Sequence, residues 1–80
     1  MKKGHTILIY STRNCIWCHK TIELFKEKNI KFKQIFVDID PKAAQEMIKK
    51  SGQMGVPVID INGKIIVGYD LEAFKKLLGI

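Results

Sequence analysis

The chain has little of what would place it in several specialised classes of protein. No apolar run approaches the roughly 18 residues that a membrane-spanning helix needs. There are only two cysteines, so a small secreted scaffold held together by several disulfides is excluded. One bridge across two intervening residues would also constrain the unfolded chain very little, which indicates that its value lies in being opened and closed.

Acidic residues are also few. Eight aspartates and glutamates stand against 14 lysines and arginines, which gives a formal net charge of +6. The basic residues are spread over every segment without a stripe of interleaved aromatics, so nucleic acid is not the predicted partner, although the excess charge can steer acidic partners. The length predicts one domain over residues 1–80, and the 46% hydrophobic content predicts a soluble cytoplasmic protein that does not enter a membrane.

Both cysteines lie where a strand pattern gives way to a helix pattern. Cys15 and Cys18 are three residues apart, which at a helix start stacks both side chains on one face, within the Cα separation of about 4.4 to 6.8 Å that a disulfide needs. Unpaired N–H groups there, with Arg13, His19 and Lys20, are expected to lower the pKa of the thiol from about 8.5 to about 7, which takes roughly 2 kcal/mol. We therefore predict a redox pair with Cys15, the more exposed cysteine, as nucleophile and Cys18 as the resolving residue.

Two other kinds of site share this cysteine spacing. A structural zinc site commonly has four ligands, and only His5 and His19 remain to complete the pair. The string Cys-Ile-Trp-Cys-His also matches the attachment pattern of c-type haem, for which Met54 is a conceivable axial ligand. Haem attachment requires an exported protein, and the N-terminus has no secretory signal. We therefore favour redox chemistry and predict no metal ligands.

The first strand and the first helix flank the cysteines. Thr6 to Tyr10 is a short β-branched and aromatic run, which suits a central strand covered on both faces. From Ile16 to Lys28 apolar residues recur at helical spacing, which predicts a surface helix with one buried face that Asn29 can end. Trp17 lies between the cysteines, and burial statistics leave open whether its ring belongs to the core or is partly exposed beside the sulfurs.

A second strand and a second helix follow. Lys31 to Ile39 alternates polar and apolar residues and then becomes apolar, which predicts a strand. Asp40-Pro41 is a favourable helix start, and Gly52 is a favourable end. The predicted buried face of this helix consists of Ala43, Ala44, Met47 and Ile48. The order strand, helix, strand predicts that the first two strands are parallel and joined by a right-handed crossover.

The last part of the chain predicts a hairpin and a third helix. Val58 to Ile61 and Lys64 to Val67 are apolar runs separated by Asn62-Gly63, a strong signal for a type I′ turn. Asp70 is the predicted cap of the final helix. The apolar residues of that helix are Leu71, Phe74, Leu77 and Leu78. The expected fold class is therefore α/β, a four-stranded mixed sheet with three helices in the order β-α-β-α-β-β-α.

This order, with a cysteine pair after the first strand and Val-Pro before the hairpin, resembles the glutaredoxins and related thioredoxin-fold redoxins over essentially the whole chain. Three motifs carry the resemblance: Cys-Ile-Trp-Cys-His-Lys, Ser-Gly-Gln-Met-Gly-Val-Pro-Val and Val-Gly-Tyr-Asp. The most similar types are small glutaredoxin-like proteins and the redoxins that feed ribonucleotide reductase. The resemblance implies a thioredoxin-like fold.

The resemblance also implies a binding site around the dithiol. Pro57 would be cis and face Cys15, and the backbone of Val56 would pair with a bound thiol peptide. Asp70 would lie near an amine or carboxylate of the ligand. The predicted substrate-binding residues are Tyr10, Arg13, Trp17, Val56, Pro57, Gly68, Tyr69 and Asp70.

The activity that the resemblance implies is thiol-disulfide exchange on protein or glutathione mixed disulfides, with no required cofactor and glutathione as a possible co-substrate. The partners would be those disulfides and a reductase of the glutathione or thioredoxin type, and one alternative is a donor redoxin reduced by thioredoxin reductase. Four residues depart from the usual glutaredoxin pattern, in which proline, lysine, glycine and aspartate stand in place of Ile16, Thr12, Val67 and Leu71. Loss of that proline weakens an obstacle to an iron-sulfur cluster held between two protomers, the other alternative.

Overall fold

The computed structural model describes residues 6–79. Its strands are β1 (Ile7–Ser11), β2 (Lys33–Phe36), β3 (Val58–Ile61) and β4 (Lys64–Val67). Its helices are α1 (Ile16–Glu27), α2 (Pro41–Ser51) and α3 (Leu71–Leu78). None of the helices in this range is long and apolar enough to cross a lipid bilayer. The predicted order of elements is confirmed, and His5 lies outside the described residues.

The four strands form one mixed sheet in the order β2-β1-β3-β4. β1 pairs with β2 in parallel and with β3 antiparallel, and β3 pairs antiparallel with β4. The predicted hairpin is confirmed, because Asn62 and Gly63 have φ angles of 53° and 92°, the positive values that a type I′ turn requires. β1 is therefore a central strand, and the chain that leaves its end enters the cysteine motif.

Side chains alternate between the two faces of the sheet, and each face has its own apolar core. One core contains residues of β1, β3 and β4 together with α1 and α3: Ile7, Ile9, Phe25, Ile59, Ile61, Ile66 and Phe74. The other contains residues of β1 and β3 together with α2: Tyr10, Ala43, Met47 and Val58. The helix that begins at the cysteines is thus packed against the first of these faces.

Two details of the prediction are wrong. β2 covers Lys33–Phe36 and not residues 31–39, because its partner β1 ends at Ser11, which lies opposite Phe36. Beyond that point the chain turns, and the N–H of Ile39 donates to the carbonyl of Phe36 at 3.5 Å. Ile48 is 36% exposed, since each helical step rotates a side chain by about 100° and Met47 occupies the position that faces the sheet.

A polar cluster ties α2 to the sheet. Lys50 Nζ donates to the Tyr10 hydroxyl at 2.8 Å and to Asp60 Oδ2 at 2.9 Å, and the Tyr10 hydroxyl donates to Glu46 Oε1 at 3.0 Å. Burial raises the pKa of Tyr10. The hydrogen bonds with Tyr10 and Asp60 raise the pKa of Lys50 in spite of its partial burial. Lys50 is therefore a charged donor at neutral pH.

Lys50→Met is expected to lower the free energy of unfolding by about 1–3 kcal/mol at pH 7, because it leaves the Asp60 carboxylate and the Tyr10 hydroxyl without this donor in a poorly solvated place. Urea denaturation followed by circular dichroism measures the loss. Lys49→Met, a change at the exposed neighbouring lysine, is the control and should stay within about 0.5 kcal/mol of the wild type. Because the pKa of Lys50 is raised, its contribution is complete below about pH 10.4 and is lost as the pH rises further. Equal losses in the two variants would contradict the assignment.

Candidate redox-active site

The two cysteines form a disulfide at the N-terminus of α1, with Cα atoms 5.2 Å apart. Cys15 is the N-cap residue in an extended conformation, and Cys18 lies in the first turn. The backbone N–H of Cys18 donates to Cys15 Sγ at 3.1 Å. Cys15 thus occupies the position that Ser, Thr, Asp or Asn usually fills. In the reduced protein the same N–H would stabilise a thiolate at Cys15.

The two sulfurs differ in exposure. Cys15 is partly exposed, whereas Cys18 is fully buried. The sequence left open whether the Trp17 ring is buried in the core or partly exposed beside the sulfurs. It is exposed, with 55% of the residue accessible to solvent. Its ring centroid lies 5.7 Å from that of Tyr69, and the ammonium of Lys20 lies 5.5 Å above it. A molecule that approaches the dithiol therefore meets Cys15 and an indole ring.

The loop before β3 lies opposite Cys15. The Val56–Pro57 peptide bond is cis, as the Val-Pro motif implied, and the carbonyl oxygen of Val56 lies 4.0 Å from Cys15 Sγ. The Pro57 carbonyl accepts from the N–H of Gly68 at 2.8 Å. This bond joins the cis-proline loop to the residue that follows β4.

Gln53, which was not among the predicted site residues, stabilises this loop through hydrogen bonds. The side-chain amide of Gln53 accepts from the N–H of Gly55 at 2.6 Å and donates to its carbonyl at 3.0 Å. Ser51 Oγ lies 2.7 Å from the carbonyl oxygen of Met47 and 3.0 Å from that of Gln53, and its single hydrogen can be donated to either one, so it connects the loop to the end of α2. A Cβ atom on Gly55 would lie 2.8 Å from Gln53 Oε1. A larger residue at position 55 would therefore clash with the Gln53 side chain in this hydrogen-bonded position. The one signal in the sequence was an amide side chain two residues before a glycine.

Five of the predicted binding residues line one groove of about 190 Å³ next to the cysteines. They are Trp17, Val56, Pro57, Gly68 and Tyr69. Asp70, the next predicted residue, is exposed, and its Oδ1 accepts from the N–H of Ala73 at 3.1 Å, which caps α3. The structure therefore brings together residues that are more than 50 positions apart in the chain.

Tyr10 does not lie in this groove, contrary to the prediction. Its side chain is fully buried and packs with Ala43, Met47 and Val58 on the α2 face of the sheet. The reason is the alternation of side chains along β1, which directs Tyr10 to that face. Its hydroxyl is already bonded to Glu46 and Lys50, so Tyr10 belongs to the core and to the polar cluster.

Arg13 lines a different depression, of about 520 Å³, beside Cys15. The residues of this depression are Arg13, Asn14, Cys15, Ile16, His19, Lys20 and Glu23. Arg13 Nε donates to Asp38 Oδ2 at 2.9 Å, and this hydrogen bond lowers the pKa of that carboxyl. Apart from Arg13 and Cys15, these residues were not predicted to bind substrate. The four-residue spacing of Cys15, His19 and Glu23, which places them on one helix face, was the available signal.

Because Cys15 and Cys18 both lie at the first turn of α1, their disulfide opens and closes within one turn of the chain, and the pair can thereby pass two electrons to or from another disulfide. Within residues 6–79, no three His, Cys, Asp or Glu side chains come together to hold a metal ion. The fold and the site define a thiol-disulfide oxidoreductase with a thioredoxin-like fold. The family model described as Glutaredoxin matches residues 7–66, and the chain belongs to the glutaredoxin family.

Individual relatives agree with this assignment. An uncharacterised glutaredoxin-like 8.6 kDa protein of the rubredoxin operon of Clostridium pasteurianum is 50% identical over 72 residues, which cover 90% of this chain and 96% of that one. Glutaredoxin 3 of Escherichia coli K12 is 36% identical over 62 residues, covering 78% and 75%. The solved structure of Escherichia coli NrdH-redoxin, a glutaredoxin-like protein with a thioredoxin-like activity profile, superimposes with a TM-score of 0.80 at 26% identity and covers 90% and 93%. The predicted fold class and the predicted oxidoreductase activity are confirmed.

Proposed function

We propose that this protein reduces protein or glutathione mixed disulfides through the Cys15–Cys18 dithiol. The Cys15 thiolate attacks one sulfur of the substrate disulfide and forms a mixed disulfide, while the other substrate sulfur leaves as a thiolate and takes up a proton. The Cys18 thiol then loses its proton and attacks Cys15 Sγ. The second substrate thiol is released, and the Cys15–Cys18 disulfide closes. Two electrons have passed from the protein to its substrate.

The observation that carries this proposal is the hydrogen bond from the Cys18 N–H to Cys15 Sγ at 3.1 Å. A backbone N–H at a helix N-terminus stabilises negative charge on the sulfur that accepts from it, and so favours the Cys15 thiolate that attacks the substrate. The difference in exposure supports the order of the two steps. A substrate reaches the partly exposed Cys15, whereas the fully buried Cys18 reacts with the sulfur next to it.

The groove beside Cys15 supports the proposed binding residues. A substrate chain bonded to Cys15 lies next to the Val56 carbonyl, 4.0 Å from the sulfur, and we propose that it pairs with the backbone there in an extended conformation. Trp17 and Tyr69 present aromatic rings to the same groove. We propose that Asp70 and Arg13 supply charged contacts to the substrate. Asp70 is the residue after Tyr69, which lines the groove, and Arg13 lines the second depression beside Cys15.

The oxidised protein needs two electrons to return to the dithiol. Similarity to glutaredoxin 3 supports glutathione as co-substrate and source, whereas similarity to NrdH-redoxin supports a thioredoxin reductase, and exchange between thiols needs no further cofactor. Because a reducing compartment supplies such electrons, we propose that the protein works in the cytoplasm as one domain over residues 1–80.

The experiment that tests this function follows NADPH oxidation with hydroxyethyl disulfide as substrate. One arm contains glutathione and glutathione reductase, and the other contains thioredoxin reductase. Turnover is expected in at least one arm, and the arm that works identifies the reductant. In single turnover, each fully reduced chain should release two thiols from the disulfide, since both cysteines are consumed. A protein that stays reduced in the presence of the disulfide and shows no turnover in either arm would refute the proposal.

A further inference from the structure

The loop between α2 and β3 is stabilised by one of its own side chains. The amide oxygen of Gln53 accepts from the N–H of Gly55 at 2.6 Å. The amide nitrogen donates to the carbonyl of Gly55 at 3.0 Å and to Ser51 Oγ at 3.3 Å. A glutamine amide has two N–H groups and one oxygen, and here all three bond inside the loop. Gln53 therefore fixes backbone and has little left to offer a substrate directly.

The backbone that Gln53 fixes leads to the reactive sulfur. A peptide unit is planar, so fixing the carbonyl of Gly55 also fixes the direction of the Val56 N–H in the same unit. The next carbonyl along the chain, that of Val56, lies 4.0 Å from Cys15 Sγ. The amide of Gln53 thus acts one peptide unit away from the carbonyl that faces the sulfur.

The loop has few other restraints between its ends. At its start the N–H of Gly52 donates to the carbonyl of Ile48 at 2.7 Å, and at its end the carbonyl of Pro57 accepts from Gly68 at 2.8 Å. Within residues 6–79, the backbone of residues 54–56 has no hydrogen bonds except those with Gln53 and the contact at Cys15. The direction of the Val56 peptide groups therefore depends on Gln53.

The identity of residue 55 agrees with this role. A Cβ atom there would lie 2.8 Å from Gln53 Oε1, and glycine removes that clash. The φ angle of Gly55 is not among the positive ones, so its backbone conformation is open to other residues. The position requires a glycine because of the Gln53 amide and not because of the backbone.

We infer that Gln53 is a positioning residue, which orients the backbone around Val56 so that a polypeptide disulfide can pair with it during exchange at Cys15. This inference rests on the proposed exchange. A polypeptide carries N–H and C=O groups that can pair with this backbone, whereas hydroxyethyl disulfide has none. Alignment by such a contact accelerates only the substrates that make it. Loss of the Gln53 amide should therefore slow peptide disulfides selectively.

The test compares a peptide disulfide with hydroxyethyl disulfide. Stopped-flow fluorescence of Trp17, the single tryptophan, gives the second-order rate constant at which each one oxidises the reduced protein. In Gln53→Ala, the ratio of the peptide to the hydroxyethyl disulfide rate constant should fall at least about threefold, the size expected for one lost hydrogen bond. The rate constant for hydroxyethyl disulfide should stay at the wild-type value. Gln45→Ala, a change at an exposed glutamine of α2, is the matched control and should keep the wild-type ratio.

Gly55→Ala tests the same contact from the other side. The added methyl group displaces the Gln53 amide, so the rate ratio should fall as it does in Gln53→Ala. The double variant Gln53→Ala/Gly55→Ala should show no further loss, because both changes remove one shared interaction and the clash disappears with the amide. Independent effects would multiply instead.

Three results would overturn the inference while leaving the exchange at Cys15 standing. They are an unchanged ratio in Gln53→Ala, an equal fall of both rate constants in that variant, and multiplied losses in the double variant. If neither disulfide oxidises the wild type, the proposed function fails and the inference fails with it. Circular dichroism of each variant verifies that the fold is intact.

Discussion

Cys18→Ser is expected to accumulate with its substrate covalently attached to Cys15, whereas Cys15→Ser is expected to form no adduct. In the wild type, Cys18 attacks the mixed disulfide from a position whose Cα is 5.2 Å from that of Cys15. A serine hydroxyl cannot attack the mixed disulfide in place of the Cys18 thiolate, so the reaction stops at this intermediate. The buried Cys18 cannot start the reaction in the other variant. Dithiol turnover should fall to the uncatalysed background in both.

Mass spectrometry of the intact proteins after incubation with a peptide disulfide measures these adducts. The expected mass increase is one peptide per chain in Cys18→Ser, and reduction with dithiothreitol should remove it. The wild type, which has both cysteines in place, is the control and should show no lasting adduct. An adduct on Cys18 of the Cys15→Ser variant, together with none on Cys15 of the Cys18→Ser variant, would reverse the assigned roles.

Phe25→Ala is expected to destabilise the protein by about 3–5 kcal/mol, the usual cost of truncating a large buried aromatic side chain. Phe25 is fully buried, and its ring meets those of Phe32 and Phe74 edge to face, with centroids 6.0 and 5.3 Å away. A chain of 80 residues has a total stability of about 4–12 kcal/mol. The substitution therefore removes a large share of the stability, and it loosens the helix that presents the cysteines.

Guanidinium denaturation of the oxidised protein, followed by circular dichroism, measures this loss. Phe36→Ala is the matched control, because Phe36 is only partly buried at the end of the edge strand β2. Its cost should be less than half as large, and Phe25→Leu should fall between the two. A Phe25→Ala protein as stable as Phe36→Ala would show that the core does not depend on this aromatic cluster.

The sequence predicted the elements well because their signals are local. Asp40-Pro41 and Asp70 begin helices since a carboxylate can accept from N–H groups only a few residues ahead. The Asn62-Gly63 turn depends on the φ angles of two adjacent residues. Signals of this kind involve a handful of neighbours and survive in any tertiary context.

The misplaced residues depended on distant partners. The length of β2 was set by the end of β1, some 25 residues earlier in the chain. The aromatic character of Tyr10 does not tell whether its ring faces a groove or the α2 core, because that depends on what covers each face of the sheet. The hydrogen bonds between the Gln53 side-chain amide and the backbone of Gly55 were not predicted, because they depend on the path of a loop that has no regular structure.

By itself, the sequence determined that Cys15 and Cys18 form a redox pair at a helix start and that strands and helices alternate around them, because spacing and caps act over a few residues. The tertiary structure decided which side chains surround the sulfurs. It placed Val56 beside Cys15, although the two residues are 41 positions apart in the chain. It also buried Tyr10 in the core and left Ile16 and Met54 exposed. Such neighbours arise only when the hairpin packs beside β1, since contact between remote residues depends on how whole elements bury their apolar faces.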